Sequence, residues 1–336
     1  MPQLTARAAF AVDLTAGVEL YADNADVPLA PASLTKIVTA LVAIRTVSLD
    51  DVVTVQAGDL VDPTIYSHMG LEAGDQVAVR DLLAGMFLPS GDDAARALAR
   101  YAGERMGGGS DPRATFVAAM NRLAAQFNMS GSHFVDTDGE DAPGHVMTAR
   151  DLAIATAALF QSQTLERLVG QQTMTVHVGG PNARPITLES TNELLGAPGV
   201  HGVKTGTTDA AGQCLVTAIW RGDDRVVTVV LGSSDRYADT QAILSDLDSR
   251  YRWVRVGRGG DVGDLSTRLQ AQGLVMVTGQ TLLLTPEQAA SLRYELTSNP
   301  PATPKPWAPA GQVVFFAGNA EILRLPVYAR NTTPVP

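Results

Sequence analysis

Hydrophobic residues follow two different periodicities along the chain, and the two occupy different segments. Apolar positions three or four residues apart predict helices, in the segments 31–50, 79–88, 93–103, 112–127, 149–160 and 239–256. Alternating apolar and polar positions predict strands, in the segments 7–23, 52–56, 173–178, 185–191, 212–220 and 225–233. The first strand segment is typical of a hairpin with its turn at residues 15–17. Strands on both sides of a helical region predict an α+β domain, in which an antiparallel sheet is built from both ends and carries helices on its face.

A glycine-rich segment at 257–264, GRGGDVGD, marks a change of pattern. Beyond it the chain has the pattern of short strands separated by turns and prolines, as in LVMVTGQTLLL, QVVFFAG and EILRLPVYA. We therefore predict two domains: residues 1–257 form the α+β domain, and residues 258–336 form a small all-β domain. A length of 336 residues with 45% hydrophobic residues is enough to bury two such cores.

The composition mainly excludes classes of function and of binding site. A formal net charge of −10 argues against a nucleic-acid partner, because that binding rests on neutralising phosphates with Lys and Arg. No run reaches the roughly 18 apolar residues that a membrane span needs. The five histidines show no metal-ligand spacing, and the single cysteine, Cys214, lies in an apolar strand where an inert buried thiol is expected. We predict neither a metal nor an organic cofactor.

One lysine near the start of the first long helix is unusual for this chain, which has 3 lysines and 22 arginines. Lys36 lies in the stretch PASLTKIVTA, where a partly buried amine can lose its proton, whereas an arginine stays charged. Ser33 lies three residues earlier, on the same face of the helix start. A hydroxyl beside an amine that burial keeps neutral is the arrangement of an activated serine nucleophile. Because a solvated lysine at a helix edge has the same sequence pattern, the pair alone is a weak motif.

Two further segments contain side chains that could act together with Ser33 and Lys36. The stretch HGVKTGTT predicts a strand whose Gly206 lets a substrate backbone lie close, while Lys204 and Thr205 line a cleft. A glycine bulge on an edge strand is the structural alternative. In the stretch PSGDDAA, Ser90 lies in a predicted loop between two helices, where its hydroxyl is free to relay a proton.

The order and type of these segments resemble the Ser-x-x-Lys, Ser-x-Asn and Lys-Thr-Gly motifs of penicillin-binding proteins. Longer stretches are similar to the low-molecular-mass members of that family, the serine-type D-alanyl-D-alanine carboxypeptidases: LAPASLTKIVTALVA, SHMGLEAGDQVAVRDLLAGMFLPSGDDAARALA, MNRLAAQFNMSGSHF, HVMTARDLA and GVKTGTTDAAGQCLVTA. The resemblance covers nearly the whole chain. It implies a penicillin-binding, β-lactamase-like transpeptidase domain, followed by a β-rich domain like the second domain of that family.

The resemblance also implies a role for each motif residue. Ser33 would be the acylated nucleophile, Lys36 the base that takes its proton, and Ser90 the group that passes a proton to the leaving D-alanine. Lys204 would hold positive charge in the cleft. The backbone N–H groups of Ser33 and Thr207 would form the oxyanion hole, which stabilises charge that appears only in the tetrahedral intermediate.

Recognition of the substrate's terminal carboxylate falls, by the same resemblance, to Lys204 with Thr205, Thr207 and Arg236, the arginine of VVLGSSDR. The implied substrates are peptidoglycan stem peptides that end in D-alanyl-D-alanine, and β-lactam antibiotics would acylate the same serine. Water as the final acceptor makes the reaction a two-step hydrolysis. Such a protein is expected to be exported and to act outside the cytoplasmic membrane, with membrane association only through a segment outside this sequence.

Two positions depart from the family pattern. The second motif ends in Asp92 instead of asparagine, and an ionised carboxylate cannot donate a hydrogen bond to a substrate carbonyl as an amide can. It would also favour the protonated form of Lys36 and weaken that amine as a base. We therefore expect that Asp92 either is held protonated or slows the enzyme. Asp136 and Thr137 replace the usual Asn-Pro pair, with no consequence that the sequence reveals.

Three other functions compete with the carboxypeptidase. A D,D-endopeptidase, which cuts cross-links instead of termini, would use the same residues and stays open. A non-catalytic module that binds wall peptides is kept open by Asp92. A class A β-lactamase is discounted, because no glutamate between Ser90 and Lys204 has an asparagine four residues on.

Overall fold

The structure, a computed structural model, describes residues 2–299 and 305–330 and divides them into two compact units. One unit contains the described residues up to Trp220 together with Arg225–Leu244. The other contains Arg221–Asp224 and the described residues from Ser245 onward. This division falls ahead of the predicted domain boundary at residue 257, which stays a prediction.

The secondary structure alternates between short strands and helices of up to four turns. The strands are β1 (Ala8–Asp13), β2 (Val18–Asp23), β3 (Val52–Thr54), β4 (Gln76–Ala78), β5 (Thr173–Val178), β6 (Arg184–Glu189), β7 (Val200–Thr208), β8 (Gly212–Arg221), β9 (Asp224–Ser233), β10 (Arg252–Gly257), β11 (Leu274–Val275), β12 (Gly279–Leu284), β13 (Leu292–Ser298), β14 (Pro309–Ala317) and β15 (Ala320–Ala329). The α-helices are α1 (Lys36–Thr46), α2 (Val79–Phe87), α3 (Asp92–Arg105), α4 (Pro112–Gln126), α5 (Ala149–Leu159), α6 (Gln163–Val169), α7 (Arg236–Arg250), α8 (Leu265–Ala271) and α9 (Pro286–Ala290).

The central sheet joins strands from the two ends of the first unit. Its order is β2-β1-β9-β8-β7, so the N-terminal hairpin lies beside strands that follow more than 180 residues later. Strand β1 pairs antiparallel with both β2 and β9, and β7 pairs antiparallel with β8. The predicted antiparallel sheet built from both ends is therefore confirmed, and β7 forms one of its edges.

Helix α1 lies inside the first unit, and only its last turn reaches the surface. All residues from Lys36 to Ala43 are buried, because apolar side chains occupy most of the helix circumference. The core around it also contains Leu83 of α2 and Phe116 of α4, both fully buried. Each such side chain stabilises the fold by about 1.5–3 kcal/mol through burial.

Side chains bind unpaired backbone N–H groups at the starts of several helices. Asp111 accepts a hydrogen bond from the backbone N–H of Ala114 at 2.9 Å, and Thr148 accepts one from Asp151 at 3.0 Å. Both caps satisfy N–H groups that the helix itself leaves unpaired. Asp93, the second residue of α3, instead directs its carboxylate outside the helix, where it accepts bonds from the backbone of residues 69–71 at 3.0–3.2 Å.

Two predicted helices are too long. The first ends at Thr46, and its opening turn, Ala32–Thr35, is a 3-10 turn ahead of α1. The last predicted helix of the first domain ends at Arg250, and the sequence RWVRVG that follows forms β10, paired with β12. In that stretch, Trp253, Val254 and Val256 favour an extended chain, because aromatic and β-branched side chains pack well on a pleated surface.

The second unit is built mainly of strands, and the predicted fold class is confirmed. A four-stranded sheet in the order β11-β15-β14-β13 contributes Val313, Phe315 and Val327, all fully buried, to a separate core. The hydrophobic pattern did not predict the two short helices α8 and α9, of 7 and 5 residues. Among the described residues, no helix combines the length and the apolar character needed to cross a bilayer.

The loop after α4 touches the 3-10 turn at a glycine. Gly139 has a φ of +100°, and a Cβ atom added to it would lie 1.9 Å from the carbonyl oxygen of Ala32. Only glycine permits this backbone contact, because the position is both left-handed and crowded.

Replacing Gly139 by alanine should therefore destabilise the protein by about 3 kcal/mol or more, since the loop and the 3-10 turn must separate. Gly144→Ala is the matched control in the same loop: its φ is +83°, but the nearest atom to the added Cβ is 3.9 Å away. The control should cost only the left-handed strain of about 1–2 kcal/mol. Urea unfolding measures both variants, and equal losses would contradict the crowding argument.

Candidate active site

Ser33 and Lys36 lie where the 3-10 turn meets α1. The turn carries Ser33, and α1 begins at Lys36. Lys36 Nζ donates a hydrogen bond to Ser33 Oγ at 2.7 Å, so the two side chains share one face, as their spacing predicts. The lysine residue has 0% exposure, which leaves its amine no access to bulk water.

A buried histidine, which the sequence reading did not select, supports this turn. His145 Nε2 lies 2.8 Å from Thr35 Oγ1, and that hydroxyl donates to the carbonyl oxygen of Ala32 at 2.9 Å. Burial lowers the pKa of His145 to about 4, because it disfavours the charged imidazolium. A neutral ring at ordinary pH therefore contacts Thr35, in the same 3-10 turn as Ser33, without adding charge to the site.

The loop between α2 and α3 brings Ser90 and Asp92 to the same amine. Ser90 has a φ of +64°, an uncommon backbone conformation that costs a side-chain-bearing residue about 1–3 kcal/mol. In this conformation the Ser90 carbonyl oxygen lies 2.9 Å from Lys36 Nζ, and Ser90 Oγ lies 3.4 Å from it. Asp92, the first residue of α3, forms a direct ion pair with Lys36 through Oδ1. Four oxygen atoms thus surround the buried amine.

Strand β7 brings the second lysine to the same serine from the opposite side. Lys204 Nζ donates hydrogen bonds to Ser90 Oγ at 2.8 Å and to the carbonyl oxygen of Thr205 at 2.9 Å. The residue is 1% exposed. Ser90 is therefore the common neighbour of two buried lysine amines, which come from segments 168 positions apart (204 − 36).

Gly206 allows β7 to lie against the turn that carries the serine. A Cβ atom added to it would lie 3.1 Å from the backbone nitrogen of Ser33 and 3.0 Å from Ala32 Cβ. The close approach seen here is thus to the chain's own backbone, and an approach of substrate to this glycine stays a prediction. The alternative of a bulge at this glycine is wrong, because the register shift of β7 lies between Val200 and Val203.

A cavity of about 540 Å³ opens beside Ser33 and Ser90. Its lining is mostly polar: Ser33, Ser67, Ser90, Thr191, Glu193, Thr205, Gly206, Thr207, Gln213, Ser234, Asp235, Arg236 and Tyr237. It includes four of the five residues predicted to bind substrate. Neither lysine amine belongs to this lining, so both lie behind Ser33 and Ser90 as seen from the cavity.

Arg236 supplies the positive charge on the cavity wall. Its guanidinium bonds the hydroxyl of Thr207, and it also donates to the carbonyl oxygen of Gly206 at 2.9 Å and to Gln213 Oε1 at 3.2 Å. These contacts hold the guanidinium beside the end of β7, where a carboxylate in the cavity would meet it. Thr191 Oγ1, 2.5 Å from Thr205 Oγ1, fixes the neighbouring hydroxyl.

A second cavity, of about 480 Å³, shares Ser33, Ser67 and Thr207 with the first and is strongly acidic. Its other lining residues are Ile65, Tyr66, Asp92, Asp138, Gly139, Glu140, Asp141, Thr208 and Asp209. The sequence reading selected only Asp92 from this group. The acidic run DTDGED was the signal available, but nothing in the sequence shows that it folds back onto Ser33.

Arg96 links this acidic group to the motif helix. It lies one helical turn after Asp92 on α3, and its guanidinium bonds Asp138 at 2.7 Å and Glu140 at 3.3 Å. Tyr66 donates to the other oxygen of Glu140 at 2.7 Å. The spacing of four residues between Asp92 and Arg96 predicts a shared helix face, although not the partners that Arg96 finds there.

The departure at Asp136 has a structural consequence. Its Oδ1 accepts hydrogen bonds from the backbone N–H groups of Asp138, Gly139 and Glu140, at 2.9, 2.5 and 3.2 Å. The carboxylate therefore shapes the loop that presses on the 3-10 turn. The neighbouring Thr137 offers its carbonyl oxygen to the hydroxyl of Thr39 on α1, at 2.6 Å.

Burial dominates the ionisation of the two carboxyls nearest Lys36. It raises the pKa of Asp92, against the attraction of Lys36 and with added repulsion from Asp138. It also raises the pKa of Asp138 to about 6, with repulsion from Asp136 adding to the effect. The ion pair with Arg96 acts in the opposite direction on Asp138, but the cost of burying the charge is larger.

In the described parts of the chain, no group of three His, Cys, Asp or Glu residues is placed to hold a metal ion. Cys214 is fully buried, as expected, and burial raises the pKa of its thiol to about 11. A thiol of that kind is a poor nucleophile at neutral pH.

Comparison with known proteins points to one family. The profile of the D-alanyl-D-alanine carboxypeptidase family matches residues 1–235. D-alanyl-D-alanine carboxypeptidase DacC of Escherichia coli is 35% identical over 258 residues, which make up 73% of this chain and 61% of that protein. The D-alanyl-D-alanine carboxypeptidase of Streptomyces sp. strain K15 is also 35% identical over 258 residues, and the match covers 87% of it. The chain thus spans only about three fifths of the Escherichia coli relative.

Solved structures show the same relationship. The crystal structure of penicillin-binding protein 6B from Escherichia coli superposes with a TM-score of 0.70 at 26% identity, covering 97% of this chain and 96% of that one. The Streptomyces K15 DD-transpeptidase superposes with a TM-score of 0.68 at 32% identity, covering 73% of this chain and 97% of that one.

The raised pKa of Asp138 can be tested through the pH dependence of stability. A carboxyl whose folded pKa lies above its unfolded value stabilises the fold at low pH, and this contribution is lost as the pH rises through the folded pKa. For a rise from 3.8 to about 6, the contribution is at most about 3 kcal/mol and disappears between about pH 4 and pH 7.

The free energy of unfolding of the wild type minus that of Asp138→Asn should therefore fall across this window. Taking the difference cancels the titrating groups that do not interact with Asp138, whereas Asp92 and His145, whose pKa values are raised by the charge of Asp138, contribute to the difference through that interaction. Urea titrations at each pH measure both proteins. A difference that does not change with pH would contradict the raised pKa.

Proposed function

The chain belongs to the D-alanyl-D-alanine carboxypeptidase family, and from this premise we propose that it removes the terminal D-alanine of peptidoglycan stem peptides through an acyl-enzyme on Ser33. The observation that carries the proposal is the contact of 2.7 Å between Ser33 Oγ and Lys36 Nζ, on the wall of a polar cavity. A serine hydroxyl becomes an effective nucleophile only beside a group that can take its proton.

Acylation begins with attack of Ser33 Oγ on the carbonyl carbon of the last peptide bond. Lys36 takes the hydroxyl proton, and Ser90 passes a proton to the leaving D-alanine. The backbone N–H groups of Ser33 and Thr207 are proposed to bind the developing oxyanion, and the closeness of β7 to the 3-10 turn at Gly206 supports this pairing. Water then hydrolyses the ester, which completes the two-step acyl transfer.

Recognition of the free carboxylate that marks a chain end is assigned to Arg236, with Thr205 and Thr207. The guanidinium lies on the cavity wall and carries no ion pair within the described residues, so its charge is available to an anionic group. A β-lactam, which has a carboxylate next to a strained amide, would place its reactive carbonyl at Ser33 in the same way. Peptidoglycan lies outside the cytoplasmic membrane, so the proposed site of action is extracytoplasmic.

A fluorescent penicillin tests the assignment of Ser33 directly. The wild type should form a stable covalent label and release D-alanine from a D-alanyl-D-alanine peptide, and Ser33→Ala should lose both activities completely because no ester can form. Mass spectrometry of the labelled peptide should find the adduct on Ser33. An adduct elsewhere would overturn the assignment, and a wild type without label or turnover would indicate a non-catalytic binder.

The role of Lys36 gives a second test. Lys36→Arg should slow acylation by about 100-fold to 10,000-fold, because arginine keeps the charge but does not lose a proton. Lys305→Arg, at an exposed position in the second unit, is the matched control and should leave the rate unchanged. Stopped-flow mixing with the labelled penicillin measures the rate, and a Lys36→Arg variant that acylates normally would exclude this residue from proton transfer.

Substrate length separates the two hydrolytic activities that the same residues can perform. With a free D-alanyl-D-alanine terminus, the carboxylate of the leaving group can reach Arg236, whereas a cross-linked muropeptide presents a longer leaving group there. We expect a higher kcat/KM for the free terminus, measured by chromatography of the products. A higher value for the cross-linked substrate would indicate a D,D-endopeptidase.

A further inference from the structure

Two lysine amines approach the same hydroxyl in the interior of the first unit. Lys204 Nζ lies 2.8 Å and Lys36 Nζ 3.4 Å from Ser90 Oγ, and the two lysine residues are 1% and 0% exposed. Two ammonium groups so placed repel each other strongly, because the interior screens charge much less than water does. Loss of one proton removes this repulsion, so the question is which amine gives it up.

Asp92 distinguishes the two amines. Its Oδ1 contacts Lys36 Nζ directly, whereas no described carboxylate lies within 4.0 Å of Lys204 Nζ. A carboxylate in contact stabilises an ammonium over a neutral amine. The ion pair therefore keeps the proton on Lys36, and Lys204 is the amine left without a counter-ion.

The hydrogen bonds around Lys204 agree with a neutral amine. Its two partners in the described structure are the Thr205 carbonyl oxygen, which can only accept, and Ser90 Oγ, which can donate or accept. A neutral amine satisfies both by donating to the carbonyl and accepting from the hydroxyl. An ammonium that donates to both oxygens leaves one N–H group without a partner there, and so does the neutral amine, so the two forms differ in buried charge and not in unpaired N–H groups.

The charges around the two amines also favour a neutral Lys204. The pKa of Lys204 is lowered well below its usual value by burial and by repulsion from Lys36, with Arg236 adding and Asp92 opposing. The pKa of Asp92 is raised by burial against the attraction of Lys36, with which it is in direct contact. Asp138, the other carboxyl nearby, has its own partner in Arg96.

We propose that Lys204 is the neutral amine of the resting site and the terminal acceptor of the Ser33 proton during acylation. Asp92 is then a positioning residue, which assigns the proton to Lys36. This inference deepens the proposed acyl transfer at Ser33 and rests on it. It also changes the role expected for Lys204, from a fixed positive charge to a titrating base.

The proton path runs along the observed hydrogen bonds. The Ser90 hydroxyl proton moves to Lys204 Nζ, and Lys36 Nζ gives a proton to Ser90 Oγ, which leaves Lys36 with a free lone pair. As Ser33 Oγ forms its bond to the carbonyl carbon, its O–H bond breaks and the proton passes to this lone pair of Lys36 Nζ. Lys36 is an ammonium before and after this step. When the peptide C–N bond breaks, Ser90 gives its proton to the leaving amine and regains one from Lys204, so no proton is gained or lost overall.

The small number of lysines makes the resting state directly observable. With 3 lysines in the chain, uniform labelling of the lysine side chains with carbon-13 gives one Cε resonance each for Lys36, Lys204 and the exposed Lys305. At pH 7 to 8, Lys36 and Lys305 should resonate as ammonium groups and Lys204 as a neutral amine. A neutral Lys36, two charged amines in the site, or two neutral ones would each overturn the proposal.

A double-mutant cycle tests the catalytic consequence. Lys204→Arg should slow acylation by about 100-fold or more, because arginine keeps the charge and cannot accept a proton. In the Asp92→Asn background the same change should cost less than about 10-fold, because Lys36 has lost its counter-ion and can itself be the neutral amine. Lys305→Arg controls for the lysine-to-arginine change as such. Equal costs in the two backgrounds, or a tolerated Lys204→Arg, would overturn the proposal.

The measurements separate this inference from the proposed function. If the wild type is not acylated by penicillin or substrate, the proposed function fails whatever the lysine resonances show. If acylation proceeds but Lys204 is charged at neutral pH, only the inference fails. Thermal unfolding establishes whether Lys204→Arg folds, and if it does not, the resonances alone decide.

Discussion

The burial of two lysine amines around one serine hydroxyl is the constraint on which the first unit depends. Burying a charged group is costly unless polar partners replace water. Lys36 obtains four such partners from two segments, the 3-10 turn and the α2–α3 connection, and Lys204 obtains two. Any separation of α1, the α2–α3 loop and β7 would leave a buried amine without partners. The hydrogen bonds of the site and the packing of the core therefore stabilise the same positions of α1, the α2–α3 loop and β7. A change that moves these segments apart would destabilise the core as well as the site.

Close backbone contacts give that arrangement its precision. Gly206 brings β7, and Gly139 brings the loop after α4, against the same 3-10 turn; an added Cβ would be crowded at Gly206 and would overlap the backbone at Gly139. Ser90 is held in a left-handed conformation that directs both its carbonyl oxygen and its hydroxyl to Lys36. Backbone strain and missing side chains thus occur where the reacting groups converge, as expected when a site is held rigid by its surroundings. Flexible side chains alone would not hold three segments within hydrogen-bond distance.

The sequence predicts the elements of this site well and their surroundings poorly, for physical reasons. Spacing within one helix places Ser33 beside Lys36, and strand alternation predicts β7, because both depend on local geometry. The acidic residues around Asp138 come from a loop whose path is set by tertiary contacts, so no periodicity in the sequence reveals their position. The start of the first helix is predicted too early for a similar reason: the 3-10 turn at Ser33 lies in close contact with β7 and the Gly139 loop, and no helix propensity describes such contacts.

The departures from the family pattern become intelligible when they are considered together. Asp92 adds a negative charge beside Lys36, and Arg96, one turn later on the same helix, brings a positive charge back to the group through Asp138 and Glu140. Asp136 holds the loop that carries both of these carboxylates. Among the described residues, Asp92 is paired with Lys36, and Asp138 and Glu140 are paired with Arg96, whereas Lys204 has no carboxylate partner. Lys204, which has no carboxylate partner among the described residues, is thus the residue that gives the site its capacity to accept a proton.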